Sequence, residues 1–318
     1  MWLTEIPAPD FDLAMTLDSG QVFHWETAGK GFVGAIGDCP VYVEKDRNIL
    51  RAFGSVLKLD RLKRPSLRKI VSQYFALDHS LAEICASLPR DPVMNAAKHF
   101  CRGLRIIRQP KWECLATFIC SSMKQIAHIR QISRKLRERF GQARKINPPS
   151  PRLRCGEAIT VFTFPSAERI AASSEKALHR CALGYRAKNL LATSRLIANR
   201  DLDLEQLARM ADVDLHAKLC ALPGVGAKVA NCVMLFAYER LRAFPIDVWI
   251  ERVLREQYFP GKRKLNVGRL RAFTEEYFGD HGGYAQQYLF HHARMSMGRS
   301  KSKVSGRRGA ESLSRSRA

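Results

Sequence analysis

The stretch Leu222-Pro223-Gly224-Val225-Gly226-Ala227-Lys228-Val229-Ala230 limits what this chain can become more than any other. Helical periodicity precedes it, over about Asp212 to Ala221, and resumes after it, over about Ala227 to Tyr238. Pro223 stops the first helix, because it lacks an N–H and its ring clashes with the preceding turn. Gly224 and Gly226 permit positive φ and leave the backbone bare for close approach. The second helix then starts with free N–H groups aimed outward at the positive end of its macrodipole. Such a terminus binds a phosphate oxygen without regard to base sequence. A glycine turn that merely joins two core helices is the competing reading.

Charge favours the phosphate. The 318 residues carry a formal net charge of +23, with a pI near 10.0. That excess sits mostly at the surface and attracts a polyanion, so nucleic acid is the leading partner. No polybasic amphipathic helix points to an anionic membrane, and no apolar run approaches the roughly 18 residues of a span. The start, Met1-Trp2-Leu3-Thr4-Glu5, lacks the basic and apolar regions of a signal peptide. The expected place is therefore the cytoplasm or nucleoid of a bacterium, or the nucleus of a eukaryote, and not the exterior. Nine cysteines are scattered without a Cys-x-x-Cys, which suits a reducing compartment and argues against a zinc ribbon. None follows Cys232, which rules out a C-terminal four-cysteine iron–sulfur cluster. His291 and His292 are adjacent, point to different helix faces and make poor joint ligands, so no catalytic metal is expected.

The first sixty residues read as short strands and turns, with Phe32–Ile36 and Val41–Glu44 as strands. From Pro65 the period becomes helical: Leu67, Ile70, Val71 and Tyr74 share a face. Cys114 to Cys120 reads as a buried central helix, and Ile129, Ile132, Leu136 and Phe140 mark the next, stopped by Gly141. Residues 144–157, rich in Pro and Arg, read as a surface loop, and helices continue from Ser166 to about Arg294. The expected fold is α+β. A small antiparallel sheet domain (1–108) precedes a mainly helical domain (109–298), and a basic, disordered tail (299–318) follows.

Lys228 lies in the first turn of the second hairpin helix, where the macrodipole disfavours an ammonium and favours the neutral amine of a Schiff-base nucleophile. Asp247 follows nineteen positions later (247 − 228), in Phe244-Pro245-Ile246-Asp247-Val248, where it can cap the next helix, Trp249 to Gln257. Alone, either residue is ordinary: a solvated lysine, an N-cap aspartate. Together, Gly-x-Gly-x-Lys and Pro-x-Asp at this interval resemble the signature of the helix-hairpin-helix DNA glycosylase superfamily. The resemblance implies that Lys228 attacks the sugar C1′ of a flipped nucleotide and that Asp247 stabilises the oxocarbenium charge. It also implies β-elimination from the imine, and a monovalent cation (K+ or Na+) on the backbone carbonyls of Cys220, Leu222 and Val225. No cofactor is required.

More narrowly, the chain resembles the eukaryotic-type 8-oxoguanine DNA glycosylases up to about Arg294. Five blocks carry the likeness: Ser19 to Trp25, Glu113 to Ser122, Leu183 to Ala187, the hairpin, and Tyr284 to Phe290. They make chemical sense as a purine pocket. Gly20 offers a backbone carbonyl to the N7–H that 8-oxoguanine has and guanine lacks. Gln286 offers donor and acceptor to the Watson–Crick edge. Phe290, one turn on, can stack on the base, and Cys232, one turn after Lys228, can cover its other side. Each also has a plain structural alternative as core, turn or surface residue. Tyr185 and Arg186 match residues that, in the family, wedge beside the widowed cytosine and hydrogen-bond it.

Three positions depart from the family pattern: Met123 stands for an asparagine that fills the vacated stack, His128 for a cytosine-reading arginine, and Trp249 for a histidine. These leave the purine pocket intact but weaken the reading of the opposite base. The expected activity is excision of an oxidised purine from duplex DNA by a monomer, with a lyase step. Alternatives are a glycosylase for another damaged base, or a non-catalytic helix-hairpin-helix DNA-binding protein.

Overall fold

A computed structural model describes residues 2–54, 65–148, 158–261 and 265–296. The expected tail, 299–318, lies outside them. The N-terminal part is a five-stranded antiparallel sheet of β1 (Trp2–Pro7), β2 (Glu26–Ala28), β3 (Gly31–Ile36), β4 (Cys39–Asp46) and β5 (Ile49–Gly54), in the order β1-β5-β4-β3-β2. Val41, Val43, Leu50 and Ala52 are fully buried, so the alternation that builds β4 and β5 also builds their core. That core is closed by Leu67, Val71 and Tyr74 from the helix Leu67–Tyr74.

The helical part is organised around Lys111–Ser121, every residue of which from Glu113 onward is buried. Against it pack the helices Ile126–Phe140, Arg186–Ala198 and Ala227–Ala237. The predicted helices appear within a residue or two, except that Val248–Val253 is short and continues as a π-helical turn, Leu254–Tyr258. The final helix runs over 282–296. No helix among the described residues is long and apolar enough to cross a membrane.

One expectation needs correction. Residues 144–157 are not wholly loop: β6 (Ala143–Ile146) pairs antiparallel with β7 (Ile159–Phe162), while 149–157 lie outside the described residues. Ile146 and Val161 of this hairpin pack on Val33 and Tyr42 of the sheet, joining the two parts of the chain. The two hydrophobic cores interleave along the chain. Leu81, Ile84, Met94, Leu104 and Ile106 belong to the helical core, whereas the sheet core ends at Phe75 except for Ile107.

A buried polar network locks the sheet onto the helices. Arg137 donates to Glu113 on the central helix and, at 3.1 Å, to the Phe162 carbonyl of β7. His24 from the sheet side lies 3.4 Å from the same Glu113 oxygen and 2.9 Å from the Ala35 carbonyl. Burial, and then the Arg137 charge, hold His24 well below its ordinary pKa, so it is neutral.

Candidate active site

The hairpin connects the helices Asp212–Cys220 and Ala227–Ala237. Its turn closes with the Val225 N–H donating to the Leu222 carbonyl at 3.1 Å. Gly224 has φ +77, and a Cβ there would lie 2.4 Å from the Asn189 amide nitrogen. Gly226 does not adopt the expected positive φ. It is the N-cap of the second helix at φ −96 and ψ 177, because a cap residue needs extended backbone. Its value is space: a Cβ there would meet nothing within 4 Å. The helix N-terminus is thus open to a phosphate, and no side chain caps it.

Lys228 is half-buried, with its Nζ 5.3 Å from the centroid of the Phe118 ring. Phe118 stacks in turn on Phe236 at 5.6 Å. Asp247 caps the Val248–Val253 helix, accepting from the Trp249 and Ile250 N–H groups at 3.0 and 2.9 Å through one oxygen. Burial raises its pKa. The Ile250 N–H, the Lys228 charge and the Trp249 N–H oppose that rise. Cys232 is buried and its thiol is pushed up, by burial first, while Lys228 acts against the shift.

The structure brings Gly20, Lys228, Cys232, Asp247, Gln286 and Phe290 to one cavity of about 40 Å³. Phe118, Phe236, Pro245 and Gln287 complete its wall. The sequence reading did not assign these four, although Phe236 lies eight positions after Lys228 on the same helical face and spacing alone would have found it. Gly20 sits at φ +86, and a Cβ there would lie 3.1 Å from both Phe290 Cε1 and Ile126 Cδ1. Phe290 thus lies against Gly20. Gln286 is 5% exposed and its Oε1 has no hydrogen-bond partner, which is rare for a buried amide and costly without a ligand. A larger cavity of about 390 Å³, lined by Trp25, Arg130 and Arg134 among others, lies between β3, β7 and Ile126–Phe140 and holds none of these groups.

The groups expected to face the opposite strand lie outside the pocket. Met123 is 93% exposed at φ +52, and His128 and Tyr185 are also exposed. Trp249 is half-buried and packs on the helical core. Arg186 differs from the expectation of a free guanidinium. It is buried, donates from Nε and Nη2 to the Ser122 carbonyl and from Nη1 to Leu183, and lies 4.3 Å from the Tyr185 ring. It holds the Met123 loop from below.

Comparisons with known proteins agree with this geometry. Residues 4–115 match the family model "8-oxoguanine DNA glycosylase, N-terminal domain", and residues 116–275 match "HhH-GPD superfamily base excision DNA repair protein". A "Probable N-glycosylase/DNA lyase" of Methanothermobacter thermautotrophicus is 31% identical over 92% of this chain and 96% of its own. The "N-glycosylase/DNA lyase OGG1" of Arabidopsis thaliana is 29% identical over 88% of this chain and 77% of its own. The 8-oxoguanine glycosylase/lyase of Clostridium acetobutylicum, solved with double-stranded DNA containing cytosine opposite 8-oxoguanine, superposes with a TM-score of 0.80 at 28% identity, covering 93% of this chain and 98% of that one.

Proposed function

This chain belongs to the 8-oxoguanine DNA glycosylase family of helix-hairpin-helix base-excision repair proteins, and on that footing we propose how its residues perform the N-glycosylase/DNA lyase reaction. The observation that carries the reading is the meeting of Lys228, Asp247 and the orphaned Gln286 amide in one cavity. The hairpin N-terminus holds a phosphate of double-stranded DNA, and the damaged nucleotide swings out into the pocket. Gln286 reads the Watson–Crick edge with its unpaired oxygen. Gly20 accepts from the N7–H, Phe290 stacks on the ring, and Cys232 covers the other side. One chain supplies every group, so a monomer suffices.

Once Lys228 has given up a proton, its nitrogen uses the freed lone pair to form a bond to C1′, and the C1′–N9 pair departs with the base, which takes up a proton in exchange. The Asp247 carboxylate, anchored by two N–H groups, stabilises the positive charge at C1′ while that bond breaks. Ring opening gives an imine to Lys228. Loss of a C2′ proton then expels the 3′-phosphate. Tyr185 and Met123 occupy the vacated stack, with His128 and Trp249 beside the DNA. A monovalent cation on the carbonyls of Cys220, Leu222 and Val225 fits oxygen ligands and a helix end whose carbonyls lack helical donors. One of the three, Leu222, already accepts from Val225.

Borohydride trapping tests the assignment. Wild-type protein is expected to cross-link to 8-oxoguanine duplex, and Lys228→Gln to bind the lesion but form no adduct. An adduct at normal yield in Lys228→Gln would show that another amine is the nucleophile.

A further inference from the structure

Gly20 owes its use to its backbone freedom, and that freedom is also a weakness. A glycine peptide plane flips cheaply, and a flip would turn the carbonyl away from the base. The surroundings of Gly20 are built against this. The preceding carbonyl, Ser19, accepts from the Gln287 side-chain amide at 2.9 Å. The following carbonyl, Gln21, accepts from the Gln109 side-chain amide at 2.8 Å. Gly20's own carbonyl, between them, accepts no hydrogen bond among the described residues. All four residues that flank or brace it are buried.

The bracing continues outward. The Gln21 side chain donates to Ser19 Oγ at 2.9 Å and to the Arg105 carbonyl at 2.8 Å, and accepts from the Ile107 N–H at 2.7 Å. Ser19 Oγ donates to the Thr16 carbonyl at 2.8 Å. Gln109 is tied by its own N–H to the carbonyl of Phe236, a wall of the base cavity, at 2.7 Å. Gln287 follows Gln286 on the last helix, so one amide faces the base pocket with an unpaired oxygen while its neighbour holds the loop.

We propose that Gln287 and Gln109 are positioning residues for lesion specificity. They fix the Ser19–Gly20 and Gln21–Val22 peptide planes, which flank the Gly20–Gln21 peptide, and so present its unpaired Gly20 carbonyl to a purine N7–H. An oxidised purine then gains a hydrogen bond, and an unoxidised one, with a lone pair at N7, meets an oxygen. This rests on the reading of Gly20 given above; it adds Gln109, which does not line the base cavity, and gives Gln287, which stands in its wall, a role exerted through the loop.

The test uses full-length protein and duplexes with 8-oxoguanine or 8-bromoguanine opposite cytosine. Both lesions carry bulk at C8, and 8-oxoguanine alone has the N7–H. Equilibrium binding is measured in the Lys228→Gln background, where no turnover intrudes. That parent is expected to prefer 8-oxoguanine by at least about tenfold, the scale of one buried hydrogen bond made against one refused. Adding Gln287→Met should cut the preference by about tenfold, and Gln109→Met should cut it in the same direction. Borohydride trapping at a preformed abasic site, with Lys228 restored, supplies a readout that involves no base. The loss of preference should exceed any loss of trapping at least fivefold. A parent without preference would overturn the Gly20 reading itself. A parent that discriminates while both variants discriminate equally well would overturn the bracing role alone. Equal losses of preference and of trapping in both variants would also overturn it, since that is the mark of a slackened fold.

Discussion

Gly20→Ala puts the base pocket to a direct test, because the structure gives both of its costs. The first is conformational. At φ +86 an L side chain pays on the order of 1 kcal/mol or more that glycine does not. The second is steric. The new Cβ would stand 3.1 Å from Phe290 Cε1 and from Ile126 Cδ1, so both side-chain ends must give by a few tenths of an ångström. Together these suggest a loss of about 1–3 kcal/mol, a sizeable part of the ~5–15 kcal/mol that holds a folded domain together. Thermal denaturation should show a fall of a few degrees. Function should suffer more than stability. On the proposed reading the methyl stands where the purine edge meets the backbone and crowds Phe290, which stacks on the base. Single-turnover excision of 8-oxoguanine is expected to slow by about 10- to 100-fold, as expected for loss of one or two well-placed contacts. Trapping at a preformed abasic site should slow far less, since no base has to enter. Wild-type excision accompanied by the predicted fall in melting temperature would refute the reasoning, and would leave Gly20 as a turn glycine with no part in recognition.

Other consequences are as concrete. Asp247→Asn keeps the helix cap and removes the charge, so excision should slow by roughly 10²-fold. Because burial raises the Asp247 pKa, the wild-type rate should fall with acidity along a limb above the usual ~3.9 of an aspartate, and that limb should vanish in the variant. His291 is held at about 4 by burial and then by the Arg294 charge. The unfolded chain therefore takes up this proton first, and stability present above ~6.5 is lost as pH falls from there toward the folded value. In urea titrations, His291→Asn should flatten the decline between pH 6.5 and pH 5 without abolishing it, because His24 is also neutral in the folded state; an unchanged slope would remove His291 from the account. On the opposite strand, cytosine is expected to be preferred, but by less than the several-hundredfold that a donor-rich site would give. Met123→Asn with His128→Arg should raise that preference in excision assays opposite each of the four bases.

The grouping of residues at the pocket was legible in the sequence where it depends on short spacings. Gly224-x-Gly226-x-Lys228 and Pro245-x-Asp247 each sit on one turn, and Gln286 and Phe290 are one helical turn apart. The structure gathers all of these except the two hairpin glycines at the pocket. What depends on pairing across the chain could not be read. Gln287 finds Ser19, 268 positions away, and Gln109 finds Gln21, 88 positions away. No local pattern distinguishes these glutamines from surface amides. The segment Ala143–Ile146 is polar and basic enough to pass for loop, and becomes a strand because Ile159–Phe162 pairs with it and Ile146 is buried on the sheet. Gly226 was misjudged for a different reason: two glycines in one hairpin suggest two left-handed residues, but a helix cap needs extended backbone.

The two sides of the DNA site are built on different principles. On the lesion side, buried amides and a half-buried lysine line one pocket, with Gln287 paired to the frame and the Gln286 oxygen left over for the base. On the opposite side, Met123 projects its thioether into solvent from a left-handed residue, a conformation and an exposure that both cost free energy. The loop keeps that shape because Arg186 grips the Ser122 carbonyl from below and the Lys124 N–H donates to Ser121 at 3.1 Å. The Arg186 guanidinium thereby donates to the backbone, with Tyr185 stacked on it. On the reading proposed above, what meets the DNA on this side is an apolar tip and an aromatic ring, suited to replacing a lost stacking partner, since every base has a face to stack on. Reading which base was left behind needs donors and acceptors, which neither Met123 nor the backbone-bonded Arg186 supplies. The same reading concentrates specificity in the purine pocket, where the Gly20 carbonyl and the Gln286 amide oxygen are left without partners among the described residues.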